Sequence, residues 1–215
     1  DSFSDGGRWN RRDDALRHME EMVHDGADII DIGAESSRPG FVPMSAAEEI
    51  ERLLPFLEAV LPECPVPVSV DTFKAETARA ALAAGAHLLN DIWGLQYAEE
   101  PGAMAQGAAE ADAPVVVMHN QNGTAYDGDV IAAMRGFFLR SFEIADAAGL
   151  ARENIILDPG IGFGKTAEQN MHVMRRMDEL ISYAGTDYPL LLGASRKSFI
   201  GAALDLPVEE RMEAT

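Results

Sequence analysis

The sequence predicts an α/β fold built on a parallel sheet, and three observations carry that expectation. Six short apolar runs, within ADIIDIG, VPVSVD, HLLND, PVVVMH, NIILDPG and PLLLGAS, each end in polar, charged or glycine residues. Helix-patterned stretches lie between successive runs, and strict alternation of the two marks parallel strands joined by helical crossovers. The runs are apolar at consecutive positions, as strands covered by helices are. In such folds the ligand site gathers at the C-terminal ends of the strands. Asp31, Glu35, Arg38, Asp71, Asn90, Asp158 and Lys197 are therefore expected at one site. A closed barrel and an open doubly wound sheet both satisfy these observations. No dinucleotide-binding glycine fingerprint follows the first run, which counts against the second.

Each element has its own local reason. From Asp13 to Asp25, Leu16, Met19, Met22 and Val23 recur at helical spacing, and Gly26 suits the C-terminal stop. The strand ADIID follows. Ser45 and Glu48 form a capping box that opens the next helix, with Ile50, Leu53, Leu54, Leu57 and Val60 inward. Pro55 inside that helix removes a donor and is expected to kink or split it. The strand VPVSV leads to an alanine-rich helix near Ala75–Ala84, stopped by Gly85. HLLN is a short strand, Pro101–Ala111 a weak helix and PVVVM a strand. Val130, Met134, Phe137, Phe138 and Ala145 mark a long helix ending at Gly149. After the strand NIIL, Thr166 and Gln169 cap a helix carrying Val173, Met174, Met177, Leu180 and Ile181. PLLLG is the last strand, and a final helix follows it.

At 215 residues the chain can bury one sizeable core, so one α/β domain is expected. The formal charge of -19 argues against nonspecific nucleic-acid or anionic-membrane binding, which need a basic face. Cys64 is the single cysteine, so no internal disulfide can form and a reducing, cytoplasmic location is expected. No apolar run approaches the roughly 18 residues of a membrane span.

The most specific local string is Asp158-Pro-Gly-Ile-Gly-Phe-Gly-Lys165. Its glycines allow positive φ and close backbone approach to a ligand, although a tight strand-to-helix turn needs the same residues. Asp158 at a strand tip needs a partner. Ser195-Arg196-Lys197-Ser198 sets two cations and two hydroxyls beside a helix start, suited to an anion or a carbonyl, or simply to helix capping on the surface. Arg38 lies in a long loop, where local charge can override the acidic global field because screening acts over ~8 Å. Asp71 and Asn90 end neighbouring strands; a carboxylate and an amide there can read the edge of a heterocycle, or Asp71 can cap a helix. Met118 and Phe163 offer apolar walls or ordinary packing. The five histidines show no metal-ligand spacing, and among them His119 stands at a strand tip.

Taken in order, the strings DSFSDGG, ESSRPG, SVDTFK, NDIWG, VVMH, LDPGIGFGK and GASRKSFIG resemble the dihydropteroate synthase family along essentially the whole chain. The resemblance implies a TIM-type (β/α)8 barrel with strands two to seven in this chain. It makes residues 1–215 a single pterin-binding domain truncated at both ends. It implies condensation of 6-hydroxymethyl-7,8-dihydropterin pyrophosphate with 4-aminobenzoate to 7,8-dihydropteroate, Mg2+ assisting the pyrophosphate. By resemblance Asp71, Asn90, Met118, Asp158 and Lys197 line the pterin slot. Phe3, Ser37, Arg38, Pro39, Phe163 and Ser198 map to the aminobenzoate and pyrophosphate side. Asp5, Arg38 and Lys197 carry catalysis. The family's metal-binding Asn falls before Asp1, so no metal ligand is expected in this chain. Ser37 stands where threonine is usual. Sulfonamide inhibitors and, for the full-length protein, a homodimer are implied as partners, with no nucleic acid and no membrane.

Two other readings fit the same strings. One is a pterin-binding module without catalysis; the other is a pterin-dependent corrinoid methyltransferase on a similar barrel. The SRKS and DPGxGFGK strings favour the synthase.

Overall fold

In the computed structural model, residues 12–35 and 44–212 are described. The sheet is built from β1 (Ile30–Ile32), β2 (Val68–Asp71), β3 (Leu88–Asp91), β4 (Val115–Met118) and β5 (Ile155–Asp158), all parallel and adjacent in sequence order. An open doubly wound sheet reverses its strand order at a switch point. No reversal occurs here, so each βα unit advances in one direction, as in a barrel wall.

Helices α1 (Arg12–His24), α2 (Ala46–Val60), α3 (Ala75–Ala83), α4 (Ala103–Glu110), α5 (Val130–Ala148) and α6 (Ala167–Arg175) follow in alternation and pack as successive neighbours. Their caps are local. Ser45 Oγ accepts from Glu48 N while the Glu48 carboxylate accepts from Ser45 N at 2.9 Å; Thr166 and Gln169 do the same for α6. Gly149 closes α5 at φ 77°, a left-handed position that glycine adopts without a Cβ penalty. The core lies between sheet and helices. Leu57, Val68, Ala78, Ala81, Leu89, Ala108, Val115, Met134 and Phe138 within it are fully buried. Among the described residues no helix is long and apolar enough to cross a membrane.

Four local expectations change. Helix α2 runs unbroken through Pro55. Pro55 and Glu51, whose carbonyl loses its partner, are both exposed, so water can satisfy that oxygen. Helix α6 stops at Arg175, and a 3-10 turn over Met177–Leu180 carries Met177 and Leu180, with Ile181 just past its end. An unforeseen hairpin follows, β6 (Ser182–Tyr183) paired with β7 (Thr186–Asp187). The PLLLG run makes a single parallel bridge, Leu190 to Leu157, in place of a full strand. It still lies beside β5, with Leu191 N donating to Leu157 O at 2.8 Å, so its place in the order is the expected one. Helix α7 (Ser198–Leu204) comes after it.

Candidate active site

Strand register assembles the site. Asp71 pairs with Asn90 across β2 and β3, and Met118 pairs with Asp158 across β4 and β5. All four are the last or next-to-last residues of their strands, so their side chains gather at one end of the sheet. Helix α3 takes Lys74 as its N-cap residue, which removes capping as the role of Asp71. Asn90 Nδ2 donates to Asp31 Oδ2 at 3.1 Å. Asp31 lies on β1, where protein crowds its carboxyl and raises its pKa; hydrogen bonds from Ser69 and Asn90 offset part of that rise. Asp71 is pushed well above the ordinary carboxylate range, first by burial and then by the negative field of Asp31, Glu49, Asp91 and Glu35. Such a carboxyl gains from donors that reach it, which suits it to a ligand edge bearing N–H groups.

The second half of the site is the turn after β5. Asp158 Oδ1 accepts from Gly160 N at 2.7 Å, and Phe163 N donates to Gly160 O at 3.0 Å, closing a tight turn. The three glycines of that turn each face another segment of the protein. A methyl on Gly160 would lie 2.0 Å from His119 O; on Gly162, 3.1 Å from Lys197 Cδ; on Gly164, 2.8 Å from Gln121 O. Each has positive φ, which favours glycine, and at Gly160 and Gly164 the close backbone oxygens demand it on steric grounds as well. Lys197 Nζ donates to Ile161 O and lies 4.8 Å from the Phe163 ring centroid. A methyl built on Gly193 would be 3.5 Å from Lys197 Nζ and 4.0 Å from Asp158 Oδ2. Cation and carboxylate therefore face one small space. Burial raises the Asp158 pKa and lowers that of Lys197, and each charge offsets the other's shift. Ser198, exposed, opens α7 directly after Lys197. Phe3, Asp5, Ser37, Arg38 and Pro39 lie outside the described residues.

Sequence reasoning missed three buried polar groups. Lys74 Nζ pairs with Glu35 and, at 3.0 Å, with Glu49 Oε2, which also accepts from Thr77 Oγ1 at 2.9 Å. Asp91 accepts from Trp93 N at 2.9 Å and Leu95 N at 2.6 Å, fixing the turn after β3; burial pushes its pKa up to about 6. Lys165 Nζ lies 2.9 Å from His119 Nδ1 and donates to Gly160 O and Phe163 O at 3.0 Å each. Lys74 and Lys165 stood in strings already singled out, so their position was visible but their burial was not. His119 proves to be a buried ring, 2% exposed, whose pKa falls to about 3 through burial and the Lys165 charge.

Comparison with known proteins gives one consistent answer. The family model described as pterin binding enzyme matches residues 1–215. A dihydropteroate synthase of Clostridium beijerinckii is 48% identical over 100% of this chain and 77% of its own length. A crystal structure of the dihydropteroate synthase of Clostridium difficile, determined in the presence of pteroic acid, superimposes with a TM-score of 0.90. It is 45% identical, covering 99% of this chain and 79% of that one. The Yersinia pestis dihydropteroate synthase in complex with a sulfonamide drug gives a TM-score of 0.89 at 42% identity, over 100% and 77% of the two chains.

Proposed function

Because the chain belongs to the pterin-binding enzymes, and among them to the dihydropteroate synthases, we propose a division of labour among its residues in that reaction. The fold is the TIM-type (β/α)8 barrel of those enzymes, and the activity is that of a transferase. It condenses 6-hydroxymethyl-7,8-dihydropterin pyrophosphate with 4-aminobenzoate, yielding 7,8-dihydropteroate and pyrophosphate.

The observation that carries the proposal is the meeting of Asp158 and Lys197 beside the Asp71–Asn90 pair at the strand tips. Asp71 and Asp158 accept N–H groups from the amino-pyrimidinone edge of the pterin. Asn90 completes that edge, and Lys197 donates to the ring carbonyl. Buried carboxyls with raised pKa values gain most from such donors, since a hydrogen bond to the charged form offsets its desolvation. Met118, 4% exposed, forms an apolar wall. Phe163 and Ser198 face the aminobenzoate, together with Phe3, Ser37 and Pro39. Arg38 binds the pyrophosphate and aminobenzoate charges, and Asp5 faces the cation that develops on the pterin methylene. In this dissociative scheme pyrophosphate departs, the methylene carbon becomes electron-poor and the arylamine nitrogen attacks it, losing a proton. Fixed negative charge near that carbon lowers the barrier.

Mg2+ enters with the pyrophosphate substrate. Among the described residues no group of three His, Cys, Asp or Glu is arranged to hold a metal ion. We read residues 1–215 as one pterin-binding domain of a homodimeric protein. We place it in the cytoplasm, with Cys64 reduced.

The test is dihydropteroate formation by the protein expressed from its complete coding sequence, with Lys197→Ala and Asp158→Ala compared for pterin binding by calorimetry. Product formation and loss of pterin binding in both variants are expected. Unchanged pterin affinity in either would show the site to be misplaced.

A further inference from the structure

The turn between β5 and α6 presents Phe163 and receives Lys197, yet its own chain is poorly suited to hold one shape. Three of its five central residues are glycines at φ 63°, 88° and 56°, and glycine has the largest conformational freedom of any residue. Its geometry must be set by side chains outside it. Among the described residues five do so. Tyr126 Oη donates to Gly164 O at 2.7 Å, Asp158 Oδ1 accepts from Gly160 N, Asn170 Oδ1 accepts from Gly162 N, and Lys197 Nζ donates to Ile161 O from the site side. The fifth, Lys165, donates to two turn carbonyls, Gly160 O and Phe163 O. It also lies against His119 Nδ1 at the end of β4.

Lys165 is 7% exposed, and its position has no role in the reaction scheme above. An ammonium has three N–H donors and finds three acceptors here, at 2.9, 3.0 and 3.0 Å, so its hydrogen-bonding capacity is filled within the protein. A neutral amine has only two donors and would release one acceptor. An ammonium has no lone pair, so His119 Nδ1 is the acceptor of this contact; the ring packs edge-on to Phe137 at 4.9 Å and beside Tyr126.

We propose that Lys165 is a positioning residue of the synthase reaction, its ammonium holding the Gly160–Phe163 turn in the shape that aims Phe163 at the bound aminobenzoate. The proposal rests on the functional reading above. Lys165 touches no substrate; it acts through the turn. Phe163, whose own carbonyl it binds, should respond more than Asp158, which is anchored in β5. Groups facing Lys165 are His119 and Tyr126 from the segment after β4, Asp158 from β5 and Lys197 from the start of α7. Burial lowers the Lys165 pKa to about 7, with Lys197 adding to the shift and Asp158 opposing it. The third donor is then lost on the alkaline side of neutrality, where the 4-aminobenzoate carboxylate no longer titrates.

The experiment is steady-state kinetics of the complete protein, unsubstituted, Lys165→Met and His119→Phe, from pH 6 to pH 9. Lys165→Met should raise KM for 4-aminobenzoate about tenfold or more, the scale of one lost charge-assisted hydrogen bond. KM for the pterin pyrophosphate should change less than about threefold. The unsubstituted protein should show KM for 4-aminobenzoate rising above neutral pH, and Lys165→Met should lack that rise. His119→Phe removes one acceptor of the ammonium and should move the rise to lower pH; this variant decides the matter if Lys165→Met does not fold. Parallel changes in both KM values, a rise that persists in Lys165→Met, or one that stays in place in His119→Phe would overturn the proposal. Absence of dihydropteroate from the unsubstituted protein would instead overturn the functional reading on which it stands.

Discussion

Replacing Lys74 with Met removes the cation shared by two buried carboxylates, Glu35 and Glu49. The Lys74 side chain is 7% exposed, that of Glu49 1% and that of Glu35 6%. Lys74 Nζ pairs with Glu35 and lies 3.0 Å from Glu49 Oε2. Methionine matches the length of the stem, so little cavity forms, but two carboxylates are left facing each other without their counter-charge. Coulomb's law at 3.0 Å with an effective dielectric of about 20 gives roughly 5 kcal/mol for one such pair. Removing one partner from buried ion pairs costs about 3–5 kcal/mol. We therefore expect a loss near 3–5 kcal/mol, and for a chain of this size a fall in Tm of about 6–20 °C. Urea and thermal unfolding followed by circular dichroism measure it. Adding Glu49→Leu should return about 2 kcal/mol or more, because the second unpaired charge is then gone. A Lys74→Met loss below about 1 kcal/mol would refute the reasoning: the network would then be as solvent-screened as a surface pair. Glu35 stands one residue before the segment carrying Ser37, Arg38 and Pro39. Lower turnover with 4-aminobenzoate is expected to accompany the lost stability.

Further outcomes concern two glycines of positive φ and the buried His119 ring. Gly160→Ala would set a methyl 2.0 Å from the backbone oxygen of His119 at φ 63°. About 3–5 kcal/mol should be lost from overpacking and left-handed strain together. Gly149→Ala, with positive φ but nothing within 4 Å, should lose only about 1–2 kcal/mol; equal losses would show that the close approach is absent. His119 takes up a proton at ordinary pH in the unfolded chain but near 3 when folded. Its burial therefore costs nothing above pH 6.5, and stability is lost progressively as pH falls from there toward 3. At pH 5 the loss from this group should be about 2 kcal/mol. Urea unfolding of His119→Phe at pH 7 and pH 5 should show a drop smaller by that amount; an identical drop would assign the acid sensitivity elsewhere.

Helices and their ends were legible because their causes are local. Ser45 with Glu48, Thr166 with Gln169, and Gly149 act through bonds spanning three or four residues, and all three appear as read. The β6–β7 hairpin was not legible, because its turn places Ala184 as well as Gly185 at positive φ, where Asn or Gly is the usual signal. The pairing of the PLLLG run was legible, but its length was not; bridge formation at Leu190 depends on the backbone beside it, not on its own residues.

The site divides the same way. Sequence by itself determined which residues stand at strand tips, since a strand's end is set by where its apolar run stops. Asp71, Asn90, Met118 and Asp158 followed from that alone, and the family strings supplied their chemistry. Tertiary structure decided what surrounds them. The glycines of the β5 turn accommodate His119, Lys197 and Gln121 across separate elements. Lys165 and Lys74 are internal ties and not surface cations, and Asp71 is strained by carboxylates that are distant in sequence. Burial and charge fields sum over every neighbour in space, and a linear pattern carries no record of which neighbours those are.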